Sequence, residues 1–309
     1  MDNSAEKITN ELLNIISEGD NKFKGAYNLR VDGTCAGRQS SENISITSKT
    51  DKPGLEIRVK PGTKGESVSI PACVTHGDVD DLVYNDFYVG EDCDITIVAG
   101  CGVHTETGEP ARHNGIHAFY IGNNSKVMYI EKHVGTGKGT GLKSIDPVTR
   151  VTLFKGASLT MDTAQIGGVD RSERLTECVL EEDSRLMIRE RLLTEHEQTA
   201  NTVFKVELNG KNSAADVVSR SVARDKSHQS YTSVIIGNAP CTGHTECDAI
   251  IAGEAYVDAS PQLCAHDCDA ALIHEAAIGK IAGEQILKLQ TLGLTELEAE
   301  NKIIEGFLS

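Results

Sequence analysis

The chain has 309 residues, of which 39% are hydrophobic and 25% charged, so it can bury the core of at least one large domain. Its formal net charge of −16 argues against nucleic-acid binding, which needs a basic surface. No segment approaches the roughly 20 apolar residues of a transmembrane helix, and residues 1–6 are acidic and polar, unlike a signal peptide. We therefore expect a cytoplasmic protein that acts without nucleic acid or membrane.

The first predicted element in chain order is an amphipathic helix over residues 5–18. Its apolar residues recur at helical spacing and include Ile8, Leu12 and Ile16. This spacing places them on one side of the helix. We assign residues 1–24 to this N-terminal helical segment.

Short apolar or alternating runs dominate residues 25–277 and are separated by turn residues, a pattern typical of strands. Four runs share one motif, in which an apolar residue, a small or polar turn and a second apolar residue follow one another. They begin at Val89, Ile121, Phe154 and Leu180. Intervals of about 30 residues predict a solenoid, here a β-helix, and the 29 glycines and the absence of Trp suit such a repetitive fold. A β-sandwich with coincidental turns is the alternative that the spacing leaves open.

Residues 278–309 change to a helical pattern. Residues 281–290 are predicted as one helix and residues 295–307 as another, with Thr295 and Glu298 forming a capping box. Two helices of this size cannot form a core alone. We therefore expect them to cover the end of the strand domain and to dock a partner with their remaining apolar surface.

The nine cysteines, without an export signal, indicate a reducing compartment where thiols and metal ligands are more common than disulfides. In Cys241-Thr-Gly-His-Thr-Glu-Cys247, two thiolates and the imidazole of His244 can converge on zinc or on an iron–sulfur cluster. The alternative is that Cys247 is an ordinary small buried residue at the start of a strand.

A second cysteine-rich segment follows, Cys264-Ala-His266-Asp-Cys268. If it is extended, its two thiols and its imidazole share one face and can bind a metal together. The alternative is a polar turn that happens to contain cysteines. His274 and Glu275 follow an apolar run, and in a strand they would point to opposite faces. Such a pair is more often a surface pair than a ligand pair, but the neighbouring cysteines favour ligands.

Cys101 lies between two glycines after a predicted strand, which would leave its sulfur accessible, as in a persulfide carrier. A structural thiol at a tight corner is the alternative. The glycine-rich residues 135–141 fail the P-loop pattern, because Lys138 is followed by Gly139 instead of Ser or Thr. Since nucleotide and hydrolase motifs are both absent from the sequence, we do not expect the chain to be an enzyme.

Taken together, several short segments resemble the SufB/SufD family of SUF-type iron–sulfur cluster assembly scaffolds. In the C-terminal third these segments are Ser219-Arg-Ser-Val-Ala223, Ser230-Tyr231, Cys247-Asp248-Ala-Ile250, His274-Glu-Ala276, Glu284-Gln285, Gly293-Leu294, Glu298-Ala299 and Ile304-Glu-Gly-Phe307. Upstream they are Ala99-Gly-Cys101 and Gly115-Ile-His117-Ala118. The resemblance covers residues 85–307 and is to a short form that lacks the large N-terminal domain of SufB.

This resemblance implies a mainly β fold, a right-handed parallel β-helix over residues 25–277 with a short N-terminal helix and a small C-terminal helical domain. It also implies a SufC-like ABC-type ATPase that docks on the helical domain, a sulfur donor and apo-protein recipients. In the family, the nascent cluster forms at the interface between two such subunits. We expect a homodimer, because this chain carries both the SufB-type cysteine and the histidine shared with SufD.

By the same resemblance, Cys247 matches the interface cysteine of SufB, Cys101 the internal sulfur-accepting cysteine, and His274 with Glu275 a His-Glu pair. Five further ligand candidates have no counterpart in the SufB pattern: Cys241, His244, Cys264, His266 and Cys268. We predict a scaffold for a nascent iron–sulfur cluster. The alternatives are a β-helical adaptor without a cluster, and a zinc protein that uses Cys241, His244 and Cys247.

Overall fold

The computed structural model describes residues 3–17, 23 and 25–309, so the rest of the predicted N-terminal segment lies outside the described residues. Within the described residues there are three helices, α1 (Asn3–Ile16), α2 (Gly283–Gln290) and α3 (Glu296–Phe307), and 20 strands. The strands are β1 (Ala26–Val31), β2 (Thr34–Gln39), β3 (Ile44–Ser48), β4 (Gly54–Val59), β5 (Lys64–Val74), β6 (Val79–Val89), β7 (Asp94–His104), β8 (Ala111–Ile121), β9 (Lys126–Thr136), β10 (Lys143–Ile145), β11 (Val148–Leu153), β12 (Ser158–Ile166), β13 (Arg171–Leu180), β14 (Arg185–Thr194), β15 (Thr199–Leu208), β16 (Ala214–Ala223), β17 (His228–Gly237), β18 (Thr242–Ile251), β19 (Tyr256–Ala265) and β20 (Ala271–Gly279).

Successive strands alternate between two sheets, so that the chain winds into a β-solenoid of about eight turns. Sheet A has the order β2-β1-β5-β7-β9-β12-β14-β16-β18-β20. Sheet B has the order β19-β17-β15-β13-β10-β8-β6-β4-β3, with β11 beside β8 and β13. The hairpins β1–β2 and β3–β4 are antiparallel, whereas the pairs that build the turns are parallel. The predicted solenoid is therefore confirmed, and the alternative of a β-sandwich is wrong.

The core lies between the two sheets, because alternate side chains of each strand point into that space. Residues in register on neighbouring turns stack along the solenoid. Phe87 and Phe119, in register on β6 and β8, are an example, with ring centroids 4.5 Å apart. This stacking repeats through the turns, so each turn buries its apolar face against the next one.

A residue with a left-handed backbone conformation recurs at the corners of the solenoid. Asp92, Asn124, Asp183 and Asn212 have φ angles of 55°, 57°, 59° and 59°, a region that Asn and Asp tolerate better than most residues. At Gly156, with φ of 69°, a Cβ atom would lie only 2.5 Å from Oδ1 of Asn124. A larger residue at this corner would therefore require the Asn124 amide to move.

The structure corrects one anchor of the predicted repeat. Leu153 pairs in register with both Ile121 and Leu180 and is fully buried, whereas Phe154 is 42% exposed. The third anchor is therefore Leu153 rather than Phe154. The sequence pattern places this anchor one residue too late, because β11 ends at Leu153.

Helix α1 covers part of the outer face of sheet A. Leu12 and Ile16 of the helix are buried and pack over Gly100 and Gly102 of β7. A Cβ atom on Gly100 would lie 2.9 Å from Cβ of Ile16, and one on Gly102 would lie 2.8 Å from Cδ2 of Leu12. The two glycines therefore allow the close approach of the helix.

Helix α3 packs on the outer face of sheet A, whereas α2 has no buried residue. Ile304 of α3 and the adjacent Leu308 are buried against Val222 of β16. Thr295 and Glu298 form the predicted capping box. The expectation that these helices cover the end of the solenoid is wrong, because β19 and β20 remain largely exposed. Each described helix is too short or too polar to cross a bilayer.

Candidate functional site

Cys247 and His274 lie on the last two strands of sheet A, on the face that points into the solenoid. Cys247 is 1% exposed and belongs to the main apolar core. His274 is half-buried and is in register with Thr245, the neighbouring inward residue on β18. Nδ1 of His274 is buried and has no hydrogen-bond partner among the described residues. The thiol of Cys247 and the imidazole of His274 thus both face the interior of the solenoid. Nδ1 of His274 has a lone pair or a proton that no described residue uses.

The other candidates on these two strands do not all share that face. Cys241, just before β18, is buried in the same core as Cys247. His244 points outwards, where its Nδ1 lies 2.8 Å from Oδ1 of Asp216. Glu275 is exposed and lies on the opposite face to His274, as expected for adjacent residues in a strand. Cys241 and Cys247 therefore do not converge with His244, and the predicted zinc triad is not assembled.

The second cysteine-rich segment forms a separate exposed group at the end of β19. Sγ of Cys264 lies 3.1 Å from Nε2 of His266, whose Nδ1 lies 2.8 Å from Oδ1 of Asn238. That amide oxygen accepts a hydrogen bond from Nδ1–H, which leaves Nε2 free to accept a hydrogen bond from the thiol or to bind a metal. Cys268 does not extend this line, because it lies in the following turn. Its sulfur and carboxylate oxygens of Asp267 and Asp269 are within 4.8 Å of one another.

Cys101 lies inside the solenoid on β7. The expectation of an accessible sulfur is wrong, because Cys101 is only 6% exposed. Burial, followed by the nearby charge of Glu131, raises the pKa of its thiol well above the usual range. Its register partner on β9 is His133, which also faces inwards and is 2% exposed. The thiol is therefore protonated and has a buried imidazole beside it.

A row of inward-facing polar residues runs along sheet A from β9, the strand next to that of Cys101, to Cys247 on β18. In sheet A, Glu131, Thr163, Glu190, Ser219 and Cys247 are in register on successive strands. All five are at most 4% exposed. Because register neighbours in a parallel sheet lie side by side, this row forms a continuous polar line inside the core.

Arg174 of sheet B neutralises this row. Its Nη1 donates to Oε2 of Glu131 at 2.8 Å, and its Nε lies 3.4 Å from Oε1 of Glu190. Ser219 Oγ and Thr202 Oγ1 donate to the two carboxylate oxygens of Glu190, at 2.8 and 3.1 Å. The buried carboxylates are thus hydrogen-bonded, as buried charges must be.

The two carboxylates have opposite shifts of their pKa. Burial alone would raise the pKa of Glu131, but His133 and Arg174 outweigh it and hold this pKa well below the ordinary value. Burial raises the pKa of Glu190, against the opposing effect of Arg174. Burial also raises the pKa of the Cys247 thiol to about 12, with smaller effects from Glu190 and Asp248. Glu131 is therefore the anion of the row, and Glu190 is the carboxylate more able to hold a proton.

Four residues of this interior were not predicted from the sequence, and they are Glu131, His133, Arg174 and Glu190. The sequence pattern does contain a sign of two of them. Glu131 and His133 follow Tyr129 at alternate positions of β9, so all three side chains point inwards. Polar residues at the inward-facing positions of an alternating strand indicate a buried polar network.

The fold and this interior define a class of protein: a parallel β-solenoid that holds thiols, imidazoles and paired carboxylates inside its turns. These groups are suited to binding iron and sulfur. Residues 85–307 match the family model described as SUF system FeS cluster assembly, SufBD core domain. The chain belongs to this SufBD family of iron–sulfur cluster assembly proteins.

Similar archaeal proteins carry the same family name. A SufBD family protein of Methanocaldococcus jannaschii is 30% identical over 279 residues, which are 87% of this chain and 86% of that protein. One from Archaeoglobus fulgidus is 28% identical, over 88% of this chain and 72% of that protein. One from Methanothermobacter thermautotrophicus is 29% identical over 265 residues, which are 83% of this chain but only 62% of that relative's length.

Proposed function

We propose that the chain is a scaffold on which a nascent iron–sulfur cluster is built, with Cys247 and His274 as ligands. The observation that carries this proposal is their common inward face on β18 and β20, together with the unpartnered Nδ1 of His274. Thiolate and imidazole are both good iron ligands. Because the Cys247 thiol is protonated at neutral pH, iron binding would release its proton. The protein would act without catalysing a reaction itself.

Sulfur would reach this site through the solenoid. Cys101 would accept sulfur as a persulfide, and the polar row of Glu131, Glu190 and Ser219 would line its path to Cys247. An apolar core would oppose the passage of an anionic sulfur, whereas Arg174 supplies a compensating charge inside the row. Glu190, with its raised pKa, could donate or accept the proton that accompanies sulfur transfer.

A homodimer would complete the site. β19 and β20 are the last strands of the two sheets, so their outer edges have no neighbouring strand among the described residues. Large apolar side chains on these strands are exposed, and they are Tyr256, Leu263, Ile273 and Ile278. An unpaired edge with apolar side chains is suited to association, and a two-fold axis would bring two copies of Cys247 and His274 together. Light scattering that shows a monomer, alone and with the ATPase, would contradict this.

A SufC-like ABC-type ATPase would dock on the C-terminal helices and drive the assembly of the cluster. Cys247 is 1% exposed, so the last turn must open before iron or a recipient protein can reach it. ATP hydrolysis in the partner would supply that work. A sulfur donor would load the scaffold and apo-proteins would receive the cluster, in the cytoplasm and without nucleic acid.

The test is anaerobic co-expression with the ATPase, followed by analysis of iron, sulfide and zinc. We expect Cys247→Ser to lose most of the iron and sulfide, because a hydroxyl binds iron far more weakly than a thiolate. Cys178→Ser is the matched control, since Cys178 is equally buried but lies among apolar residues of sheet B. If Cys247→Ser retains as much iron and sulfide as Cys178→Ser, the proposed site is wrong.

Zinc binding is a second candidate function, at Cys264 and His266 instead of the three residues suggested by the sequence. The 3.1 Å contact between Sγ and Nε2, with Nδ1 held by Asn238, is a preformed pair of zinc ligands. A colourless protein whose zinc is lost in Cys264→Ser would support this function. A protein free of metal and sulfide would instead support the adaptor.

A further inference from the structure

A cavity of about 230 Å³ opens at the N-terminal end of the solenoid, between the two sheets. Four cationic residues line it, and they are Arg30, Arg38, Lys49 and Lys52. Lys52 is exposed, whereas Cys101 of β7 and Asn85 of β6, which line the same cavity, are buried. The cavity therefore extends from a cationic mouth at the surface to the interior thiol.

The mouth carries uncompensated positive charge. Arg30 is paired with Asp81 at 2.6 Å, and Lys49 is paired with Asp86. Arg38 donates to two neutral oxygens instead, Oδ1 of Asn28 at 2.8 Å and Oγ of Ser48 at 2.9 Å.

Nζ of Lys52 lies 4.3 Å from the centre of the Tyr84 ring. In the part of the chain that the structure describes, neither Arg38 nor Lys52 has a carboxylate partner. A cleft lined by one sign of charge attracts anions, and this one does so on a chain with a net charge of −16.

The inner end of the cavity offers a thiol and an unused acceptor. Asn85 is 5% exposed, and its Oδ1 is buried with no hydrogen-bond partner among the described residues. Its Nδ2 lies 3.3 Å from Nε2 of His117, which fixes the orientation of the amide. A buried acceptor without a partner is costly, so the site is complementary to a group that carries a donor, such as the S–H of a persulfide on Cys101.

We propose that this cavity admits a small persulfide, R–S–S⁻, and delivers its outer sulfur to Cys101. This inference rests on the proposed function, in which Cys101 accepts sulfur. In the step, R–S–S⁻ and the Cys101 thiol give R–S⁻ and Cys101–S–SH. The thiol proton first moves to the outer sulfur of the donor, and the resulting Cys101 thiolate attacks that sulfur. A bond forms between Sγ of Cys101 and the outer sulfur while the S–S bond of the donor breaks and R–S⁻ leaves. No net oxidation occurs. Oδ1 of Asn85 would accept a hydrogen bond from the new S–H group.

The volume of the cavity argues for a small donor. A space of about 230 Å³ accommodates a molecule of amino-acid size. Arg38 and Lys52 would attract the anion and hold its outer sulfur on the way to the thiol. The ligand class is therefore a low-molecular-weight persulfide such as that of free cysteine.

The test uses the full chain, cysteine persulfide as the probe, and mass spectrometry of the peptides that contain Cys101 and Cys264. We expect the Cys101 peptide to gain the mass of one sulfur atom. Arg38→Gln with Lys52→Gln should slow this gain about tenfold, the low end of the effect of a cleft lined by one sign of charge. Cys264 is exposed and far along the chain, so its labelling should not change.

A matched control removes the same charge elsewhere. Lys126→Gln with Lys211→Gln takes two exposed cations outside the cavity and should leave the rate at Cys101 unchanged. If the double variant folds poorly, Lys52→Gln alone replaces it, because this change disturbs only a contact with the Tyr84 ring. The single variant should still slow the labelling of Cys101 about threefold.

Two results would overturn the inference. One is equal labelling of Cys101 in the cavity variants and the control, and the other is labelling of Cys264 without any labelling of Cys101 in the parent chain. Neither result would affect the iron retained by Cys247 when inorganic sulfide is supplied. The failure of this inference and that of the proposed cluster site can therefore be told apart.

Discussion

Glu131 and Glu190, on strands of sheet A that are separated by β12, share one counter-ion, the guanidinium of Arg174 from sheet B. All three side chains are at most 5% exposed. Their closeness links the two sheets through the middle of the solenoid. Without the guanidinium, two carboxylates would remain buried with only hydroxyl and imidazole partners.

We therefore predict that Arg174→Met lowers the free energy of unfolding by about 3–5 kcal/mol, the usual cost of breaking a buried ion pair from one side. Denaturant unfolding followed by circular dichroism measures it. The matched control is Arg189→Met on the outer face of sheet A, where an exposed arginine should contribute no more than about 0.5 kcal/mol. Equal losses in the two variants would show that the buried carboxylates do not depend on Arg174.

His117 makes the stability of the fold depend on pH. It is only 5% exposed, and burial lowers its pKa to about 4, with smaller effects from neighbouring charges. Asn85 Nδ2 can donate to its Nε2 at 3.3 Å, and its Nδ1 can donate to Oη of Tyr129 at 3.1 Å. Tyr129 in turn donates to Glu131 at 2.7 Å. These contacts fit a neutral ring.

Because the pKa of His117 is lower in the folded than in the unfolded chain, the unfolded chain binds the extra proton at intermediate pH. Stability should therefore fall as the pH drops from about 6.5 to about 4, by up to about 3 kcal/mol from this residue. His117→Gln keeps a donor and an acceptor but does not titrate, so it should flatten this part of the profile. Urea midpoints across the range measure it, and an unchanged slope would contradict the prediction.

The regular parts of the fold were predictable because they depend on local patterns. Alternating runs indicate strands, and a spacing of about 30 residues indicates stacked turns. The Thr295 and Glu298 capping box also follows from neighbouring residues. The error at Phe154 has a local cause too, since an apolar residue after a strand cannot be told from its last buried residue. The path of the C-terminal helices depends on distant contacts such as Ile304 with Val222, which sequence spacing does not reveal.

The site was predictable as residue types but not as an arrangement. Cys247 and His274 face one space because β18 and β20 pair in one particular register, and a shift by one residue would put them on opposite faces. The same alternation separates His244 from the cysteines near it. Arg174 could not be assigned to Glu131 from the sequence, because they come from different sheets and meet only across the core.

His274 and His244 provide a matched pair for testing the face of the site. They lie on adjacent strands of sheet A, but His274 points inwards and His244 binds Asp216 on the outer face. We predict that His274→Ala lowers the retention of iron and sulfide at least about tenfold, as expected for loss of a metal ligand. His244→Ala should retain both. Iron and sulfide analysis after anaerobic purification measures it, and loss in His244→Ala alone would place the site outside the solenoid.

The C-terminal helices retain apolar surface that the solenoid does not cover. Leu287 of α2 and Leu297 of α3 are 61% and 60% exposed, and Leu292 between the helices is 75% exposed. Meanwhile Ile304 holds α3 on sheet A through its contact with Val222. Substitutions at the exposed leucines can therefore disturb a partner surface while the packing of the helix remains.

If the ATPase docks on this surface, Leu287→Glu with Leu297→Glu should weaken its binding about tenfold or more, since exposed anchors of an interface contribute on the order of 1–2 kcal/mol each. Pull-down of the co-expressed ATPase measures it, with circular dichroism to verify the fold. Leu82→Glu is the control, because Leu82 is a 40% exposed leucine on β6, away from the helices. Full binding by the helix variant, or equal loss in Leu82→Glu, would place the docking surface elsewhere.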